Sequence, residues 1–202
     1  MTTLVLIDVQ NDFMPGGALA VPGGDEIIPI LNKLQHKFDM VIATQDWHPA
    51  EHSSFAVNHP GKNEFEVINW RGQEQVLWPV HCVQKTEGAL FHKDLETSRI
   101  EAIFRKGINP EIDSYSGFYD NAKLKSTGLA GYLRDKGTKD LYFGGLAADY
   151  CVYFSILDAL NEGFNATLIE DATRAIDPVG YEKARQTILA RGGKIVESKD
   201  LL

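Results

Sequence analysis

Two kinds of apolar pattern alternate along the chain. Short runs rich in β-branched and aromatic residues predict buried strands, and they lie at residues 4–9, 40–44, 100–105, 140–145, 165–170 and 194–198. Between the first two runs, apolar residues recur at helical spacing, namely Ile27, Leu31, Leu34 and Phe38. Further helices are predicted at residues 124–136, 151–161 and 181–191, each followed within two residues by a glycine.

Strands that alternate with helices of about 10–15 residues are typical of one architecture. Right-handed crossovers make such strands parallel and put helices on both faces of the sheet. We therefore predict an α/β fold: a doubly wound (Rossmann-like), six-stranded, mainly parallel sheet. The length of 202 residues fits a single domain over residues 1–202.

One segment interrupts this alternation. Residues 46–99 are rich in histidine, tryptophan and proline and have little regular period. A long irregular segment in a compact domain usually carries function. We predict that it folds over the carboxyl ends of the strands. Whether residues 53–77 act as a lid stays open at this stage.

Composition narrows the classes of function. The formal net charge of −8 argues against a nucleic-acid or anionic-membrane partner, since either would favour clustered Lys and Arg. The first residues lack a basic stretch and Asp8 interrupts the first apolar run, so we expect neither a signal peptide nor a membrane anchor. We therefore expect a cytoplasmic protein in which Cys82 and Cys151 are thiols.

Four ionisable residues lie where predicted strands end. Asp8 and Asp46 come at the first and second strand ends, and Lys106 and Cys151 follow the third and fourth. The carboxyl ends of parallel strands share one rim of the sheet, where ligands bind. Each residue also has a structural interpretation as a cap or turn, a solvated lysine or a core cysteine. Asp8 fits such an interpretation least, because it interrupts a buried strand and needs a partner such as Lys106.

The stretch GGLAADYCV (144–152) puts Cys151 at the predicted start of a helix. Free N–H groups and the helix dipole favour the thiolate there, which predicts a lowered pKa for the Cys151 thiol. A neighbouring carboxylate could take the thiol proton, with a lysine orienting that carboxylate. The same backbone N–H groups could hold an oxyanion. The pattern predicts amide hydrolysis through a thioester.

Histidines cluster beside these residues. Four of the six histidines lie within 34 residues of one another, namely His48, His52, His59 and His81. Asp46 and His48 are two positions apart and therefore face the same way in an extended chain. One carboxylate with two or three imidazoles suits a divalent ion such as Zn²⁺, Fe²⁺ or Mn²⁺. The alternative is that the histidines are ordinary surface or core residues.

Six motifs occur together in the chain: LIDVQNDF, TQDWHPAEHSSF, WPVHC, FRKG, YSGF and GLAADYCV. In this order and spacing they resemble the nicotinamidases, also called pyrazinamidases, of the cysteine-hydrolase superfamily that includes the isochorismatases. The resemblance runs from about residue 3 to the C-terminus. DWHP and WPVHC are its more specific part, since they are similar to the metal site of nicotinamidases.

The resemblance implies a role for each matching residue. The implied catalytic triad is Asp8, Lys106 and Cys151. The amides of Ala147 and Cys151 would form an oxyanion hole, beside a cis peptide between Leu146 and Ala147. The implied metal ligands are Asp46, His48 and His81, with His52 either a further ligand or a lining residue. The implied aromatic pocket consists of Phe13, Trp78, Tyr115 and Tyr150.

The implied activity is hydrolysis of nicotinamide to nicotinate and ammonia through a Cys151 thioester, which would feed NAD biosynthesis. Pyrazinamide is a further expected substrate, and the expected cofactor is one divalent ion, with Zn²⁺ favoured. Three alternatives stay open: another amidase or isochorismatase-type hydrolase of the superfamily, a metal-hydroxide hydrolase in which Cys151 is inert, and a non-catalytic binding or redox-sensing protein. Assembly into a homo-oligomer stays open as well.

Overall fold

A computed structural model describes all 202 residues and has one six-stranded parallel sheet at its centre. Its strands are β1 (Thr2–Ile7), β2 (Met40–Asp46), β5 (Ile100–Lys106), β6 (Asp140–Leu146), β7 (Asn165–Arg174) and β8 (Lys194–Val196). Their spatial order is β5-β2-β1-β6-β7-β8, which reverses direction between β1 and β6. The predicted α/β, doubly wound class is confirmed.

Helices cover both faces of this sheet. They are α1 (Ile28–Leu34), α2 (Leu129–Asp135), α3 (Tyr153–Asn161) and α4 (Pro178–Ala190). Successive residues of β1 point to opposite faces, so Leu4 and Leu6 pack in the hydrophobic cluster that contains α1. Val5 and Ile7 pack in the second cluster, with residues of α2, α3 and α4. No helix is both long and apolar enough to cross a bilayer.

Several element boundaries differ from the predicted ones, and two of the differences have a clear local reason. The first strand ends at Ile7 instead of residue 9, because Asp8 has a φ of 48° and turns the chain out of the sheet. The helix predicted at 124–136 begins only at Leu129. The residues before it form a turn in which the Asp120 carboxylate accepts the N–H groups of Leu124 and Lys125.

The irregular segment 46–99 contains a hairpin that the periodicity did not predict. Strands β3 (Val67–Trp70) and β4 (Gln73–Val76) pair antiparallel around Arg71 and Gly72, which both have positive φ. Such a pair of angles suits a two-residue hairpin turn. Neither strand has a regularly buried face, so the apolar alternation that normally marks a strand is weak. The rest of the segment passes over the carboxyl ends of the sheet, where Phe55 pairs with Trp78.

Candidate active site

Four strand ends bring the predicted ionisable residues together. Asp8 directly follows β1, and Asp46 and Lys106 are the last residues of β2 and β5. Cys151 lies in a π-helical turn, Ala148–Val152, between β6 and α3. β1 and β6 flank the point where the strand order reverses, which is where doubly wound sheets bind ligands.

The ammonium group of Lys106 is the centre of this arrangement. The side chain is fully buried, and its Nζ lies 2.9 Å from Asp8 Oδ2 and 2.6 Å from Asp46 Oδ1. Nζ also donates to the Ser114 carbonyl at 3.0 Å and lies 3.4 Å from Cys151 Sγ. A buried charge requires such partners, so the interpretation of Lys106 as a solvated lysine is wrong.

The two aspartates that share Lys106 have opposite pKa shifts. Burial raises the pKa of Asp8, although Lys106 and a 2.6 Å hydrogen bond from Thr44 oppose it. Burial would raise the pKa of Asp46 too, but attraction by Lys106 and His48 outweighs it and holds that pKa well below its ordinary value. Two carboxyls whose pKa values are pushed apart are suited to different roles. Asp46 is therefore suited to remain ionised, and Asp8 is suited to accept and return a proton.

The pKa of Cys151 differs from the sequence-based prediction. Burial raises the pKa of the Cys151 thiol well above its ordinary value, and the Asp8 and Asp46 carboxylates add to this effect, while Lys106 opposes it. The prediction of a lowered pKa was therefore wrong for the metal-free protein. Cys151 lies in the π-helical turn ahead of α3, among two buried carboxylates. The sulfur rests as a thiol and needs a base to become a nucleophile.

The backbone around Cys151 is closely packed against β1. The Leu146–Ala147 peptide is cis, as the resemblance implied, and Ala147 and Cys151 line the same pocket. The Ala147 carbonyl accepts the N–H groups of Tyr150 and Val152 at 3.1 Å. Gly145 has a φ of 124°, and a Cβ there would collide with the backbone of Ile7. Only glycine therefore fits at position 145, where β6 approaches the turn that carries Cys151.

Asp46, His48 and His81 form a three-donor cluster. Asp46 Oδ2 lies 3.4 Å from His48 Nε2 and 3.8 Å from His81 Nε2, and all three side chains are buried. The Nδ1 atoms contact the carbonyls of Gly107 at 3.0 Å and Pro79 at 2.8 Å. A carbonyl only accepts, so each Nδ1 carries a proton, and Nε2 is the nitrogen that the neutral ring offers to a metal ion. This donor set fits a divalent metal ion.

His52 lies beside this cluster and not within it. Its ring centroid is 4.3 Å from that of His48, and its donor atoms group with His48 and Asp113. Nδ1 lies 2.7 Å from Ser54 Oγ, whereas Nε2 is buried without a hydrogen-bond partner. His59 is farther out, where it contacts the Ser53 carbonyl and the Trp70 ring.

His52 predicts a pH dependence of stability in the metal-free protein. Burial, followed by repulsion from His48, lowers the pKa of His52 to about 4, whereas the unfolded chain protonates it near its ordinary value of about 6.5. Between these values the unfolded state binds more protons, so stability falls as pH falls. We expect wild type to lose about 2–3 kcal/mol through His52 between about pH 7.5 and 4.5. We expect the His52→Gln variant not to show this loss of stability on acidification. Denaturant titrations of both proteins measure it, and parallel pH profiles would contradict it.

The predicted aromatic residues line one pocket together with Asp46, His81 and Cys151. Its empty space is about 340 Å³, including the open mouth. Trp78 packs edge-on against Tyr150 with centroids 4.8 Å apart, and Tyr115 lies 6.3 Å from Trp78. The pocket residues shared with the predictions are Phe13, Asp46, Trp78, His81, Tyr115, Ala147, Tyr150 and Cys151. Sequence reasoning missed Leu19, Asp113 and Ile176, and only Asp113, two residues before YSGF, adjoins a motif.

Comparison with known proteins identifies the family of this chain. The model of the isochorismatase domain family matches residues 2–200. The nicotinamidase of Acinetobacter baylyi is 46% identical over 200 residues, which cover 98% of this chain and 94% of that protein. A solved structure of a nicotinamidase/pyrazinamidase from Acinetobacter baumannii is 48% identical with a TM-score of 0.98, and the match covers 100% of this chain and 98% of that one.

A third relative carries a metal ion. The pyrazinamidase of Pyrococcus horikoshii in complex with zinc is 40% identical with a TM-score of 0.80, and the match covers 97% of this chain and 98% of that one. Family match, identity and fold all extend over nearly the whole chain. The chain therefore belongs to the isochorismatase family and, within it, to the nicotinamidases.

Proposed function

We propose that this protein hydrolyses nicotinamide to nicotinate and ammonia, with Cys151 as the nucleophile, and so feeds NAD biosynthesis. The observation that carries the proposal is the position of the Lys106 ammonium. It contacts Asp8 at 2.9 Å and Asp46 at 2.6 Å and lies 3.4 Å from Cys151 Sγ. The Lys106 ammonium thus connects the base and the nucleophile of a thiol hydrolase with one of the metal donors, and the nucleophile Cys151 and the donor Asp46 line an aromatic pocket. The high identity to named nicotinamidases supports the same activity.

The first half of the reaction forms a thioester. The Asp8 carboxylate takes the proton from Cys151 Sγ, and the sulfur attacks the carbon of the carboxamide. Negative charge develops on the carboxamide oxygen, where the amides of Ala147 and Cys151 donate hydrogen bonds worth about 3 kcal/mol each. The C–N bond then breaks, and Asp8 gives its proton to the departing nitrogen, which leaves as ammonia.

The second half restores the enzyme. Asp8 takes a proton from a water molecule, whose oxygen attacks the thioester carbon. The C–S bond breaks and nicotinic acid is released, the proton on Asp8 returns to the sulfur, and the acid loses its own proton to solvent to become nicotinate. Burial disfavours the charged ammonium of Lys106, but attraction by the Asp46 and Asp8 carboxylates outweighs it and holds the pKa of Lys106 well above its ordinary value, so Lys106 remains charged throughout. Its charge keeps Asp8 ionised at the start of each half.

Asp46, His48 and His81 would hold a divalent ion, and Zn²⁺ suits two imidazoles and one carboxylate best. When bound, the ion supplies a Lewis-acidic position for the ring nitrogen of the substrate. The chain's own groups fix the rest of the substrate, since Trp78 and Tyr150 offer flat apolar surfaces to a six-membered ring. Pyrazinamide has the same shape and the same ring nitrogen, so it is the second proposed substrate.

Ammonia release from nicotinamide by the purified protein tests the proposal, with metal content measured on the same sample. We expect turnover with about one divalent ion per chain, and a large loss of rate after chelation that Zn²⁺ restores. Benzamide is the matched control, because it keeps the ring and carboxamide but lacks the ring nitrogen. Absence of turnover by metal-loaded protein would refute nicotinamide as the substrate. Equal rates on nicotinamide and benzamide would refute the role given to the metal.

A further inference from the structure

Three consecutive polar residues of the LIDVQNDF motif have no part in the proposed chemistry. Gln10, Asn11 and Asp12 follow Asp8 and begin a short 3₁₀ turn at the end of β1. Their side chains make hydrogen bonds to other segments of the chain and not to β1. We call residues 10–12 the QND segment. Two of its three side chains bond to the backbone of segments that carry metal donors.

Gln10 replaces a missing strand partner of Asp46. The ladder between β1 and β2 ends at the pair Leu6 and Ala43, so the backbone of Asp46 has no β1 neighbour. Instead, the Gln10 side-chain amide donates to the Asp46 carbonyl at 2.8 Å and accepts the Asp46 N–H at 2.8 Å. These are the two bonds that a neighbouring strand exchanges with one residue. The second amide proton goes to the Ala89 carbonyl at 2.9 Å.

Burial makes these Gln10 bonds hard to replace. Gln10 is 0% exposed, so water does not satisfy the Asp46 backbone when the amide is removed. The Asp46 side chain starts from this fixed backbone and reaches both Lys106 and the two imidazoles. A shift of the Asp46 backbone therefore changes the position of the carboxylate among the three metal donors.

Asp12 fixes the turn that carries His81. Its Oδ2 accepts the N–H of Cys82 at 2.7 Å, directly after His81 in the chain. Cys82 has a φ of 45°, a conformation that L-residues rarely adopt. The Cys82 carbonyl in turn accepts the His48 N–H at 3.0 Å. One carboxylate thus stabilises a strained turn that links His81 to His48.

The geometry points to a role for this segment: we propose that Gln10 and Asp12 are positioning residues that hold Asp46, His48 and His81 in a metal-binding arrangement before the ion arrives. The inference rests on the metal site of the proposed function and not on its substrate. Groups that orient metal ligands typically change metal affinity about 10–100-fold when removed. Removal of a residue that only stabilises the fold lowers the stability of the protein and leaves its metal affinity unchanged.

The proposal is tested by measuring the Zn²⁺ affinity of the wild-type protein and of single-residue variants, by competition with a chromophoric chelator. We expect Gln10→Met and Asp12→Ala each to weaken Zn²⁺ binding about 10–100-fold. Asp12→Asn keeps an oxygen acceptor for the Cys82 N–H, and we expect it to restore affinity to within about threefold of wild type. Denaturation of the metal-free variants, run alongside, reports whether each is folded.

Gln35→Met is the matched control for Gln10→Met. Gln35 is also 0% exposed, and its amide donates to a backbone carbonyl, that of Glu96 at 2.9 Å, but it contacts no site residue. We expect this variant to lose stability and to keep wild-type Zn²⁺ affinity. Unchanged affinity in Gln10→Met and Asp12→Ala, beside a tightly binding wild type, would overturn the positioning role alone. If Gln10→Met does not fold, Asp12→Ala against Asp12→Asn decides the question. Failure of wild type to bind Zn²⁺ would overturn the metal site itself.

Discussion

Replacing Cys151 with alanine is expected to lower the rate of nicotinamide hydrolysis at least about 10⁴-fold and to leave the metal content unchanged. The thiol supplies the atom that bonds to the carboxamide carbon, and no other thiol lines the pocket. The three metal donors belong to other residues, so they are retained. Steady-state ammonia release and elemental analysis of the same samples check both parts.

The other cysteine of the chain provides the control. Cys82 is fully buried in an apolar cluster, and burial raises the pKa of its thiol well above the ordinary value. Cys82→Ala keeps the backbone N–H that Asp12 binds, so we expect most of the activity to remain. If Cys151→Ala retained more than a few per cent of wild-type activity with its metal bound, the thioester route would be excluded. Water activated at the metal would then be the better mechanism.

Lys106→Met is expected to have the largest combined effect on stability and activity. Removal of the Lys106 ammonium leaves two buried carboxylates without their counter-charge. Because breaking such a buried ion pair is strongly destabilising, we expect the free energy of unfolding to fall by about 3–5 kcal/mol. We also expect hydrolysis to fall roughly 10²–10⁴-fold, because Asp8 no longer stays ionised as the base. Denaturant unfolding of the metal-free proteins and steady-state kinetics of the metal-loaded ones measure the two effects.

The destabilisation by Lys106→Met has a definite pH dependence. Without the ammonium, burial raises the pKa of the unpaired carboxyls above the value of about 4 in the unfolded chain. Such groups favour the folded state at low pH and oppose it as pH rises through their folded pKa, so the stability deficit shrinks on acidification. Lys62→Met is the control, since its ion pair with Glu66 lies at the surface and contributes little. A deficit equal to that of Lys62→Met, or one independent of pH, would contradict the assigned electrostatics.

The central sheet and the residues at its strand ends were predictable from the sequence. A buried parallel strand is a short apolar run, and parallel strands end on the same rim, so Asp8, Asp46, Lys106 and Cys151 could be placed together without a structure. The triad and metal ligands followed from motifs at those positions. Their catalytic roles remain predictions that the variants above test.

Features set by tertiary packing were not predictable in this way. The pKa of the Cys151 thiol is raised by burial and by carboxylates at the ends of other strands. The local sequence around Cys151 indicates only that a helix begins there. The β3–β4 hairpin was missed because neither of its strands has a regularly buried face. Leu19 and Ile176 reach the pocket from loops far apart in the chain. No local pattern marks such residues, since their role depends on which segments meet.

The shared Lys106 ammonium also limits how this site can change in evolution. Asp8 serves the nucleophile and Asp46 serves the metal, yet both pair with one and the same cation. Substitutions at groups that share a partner are not additive, so the cost of changing Asp8 depends on which residue occupies position 46. The nucleophile half and the metal half therefore form one epistatic unit. A lineage that discards the metal set has to rebuild the surroundings of Lys106 at the same time.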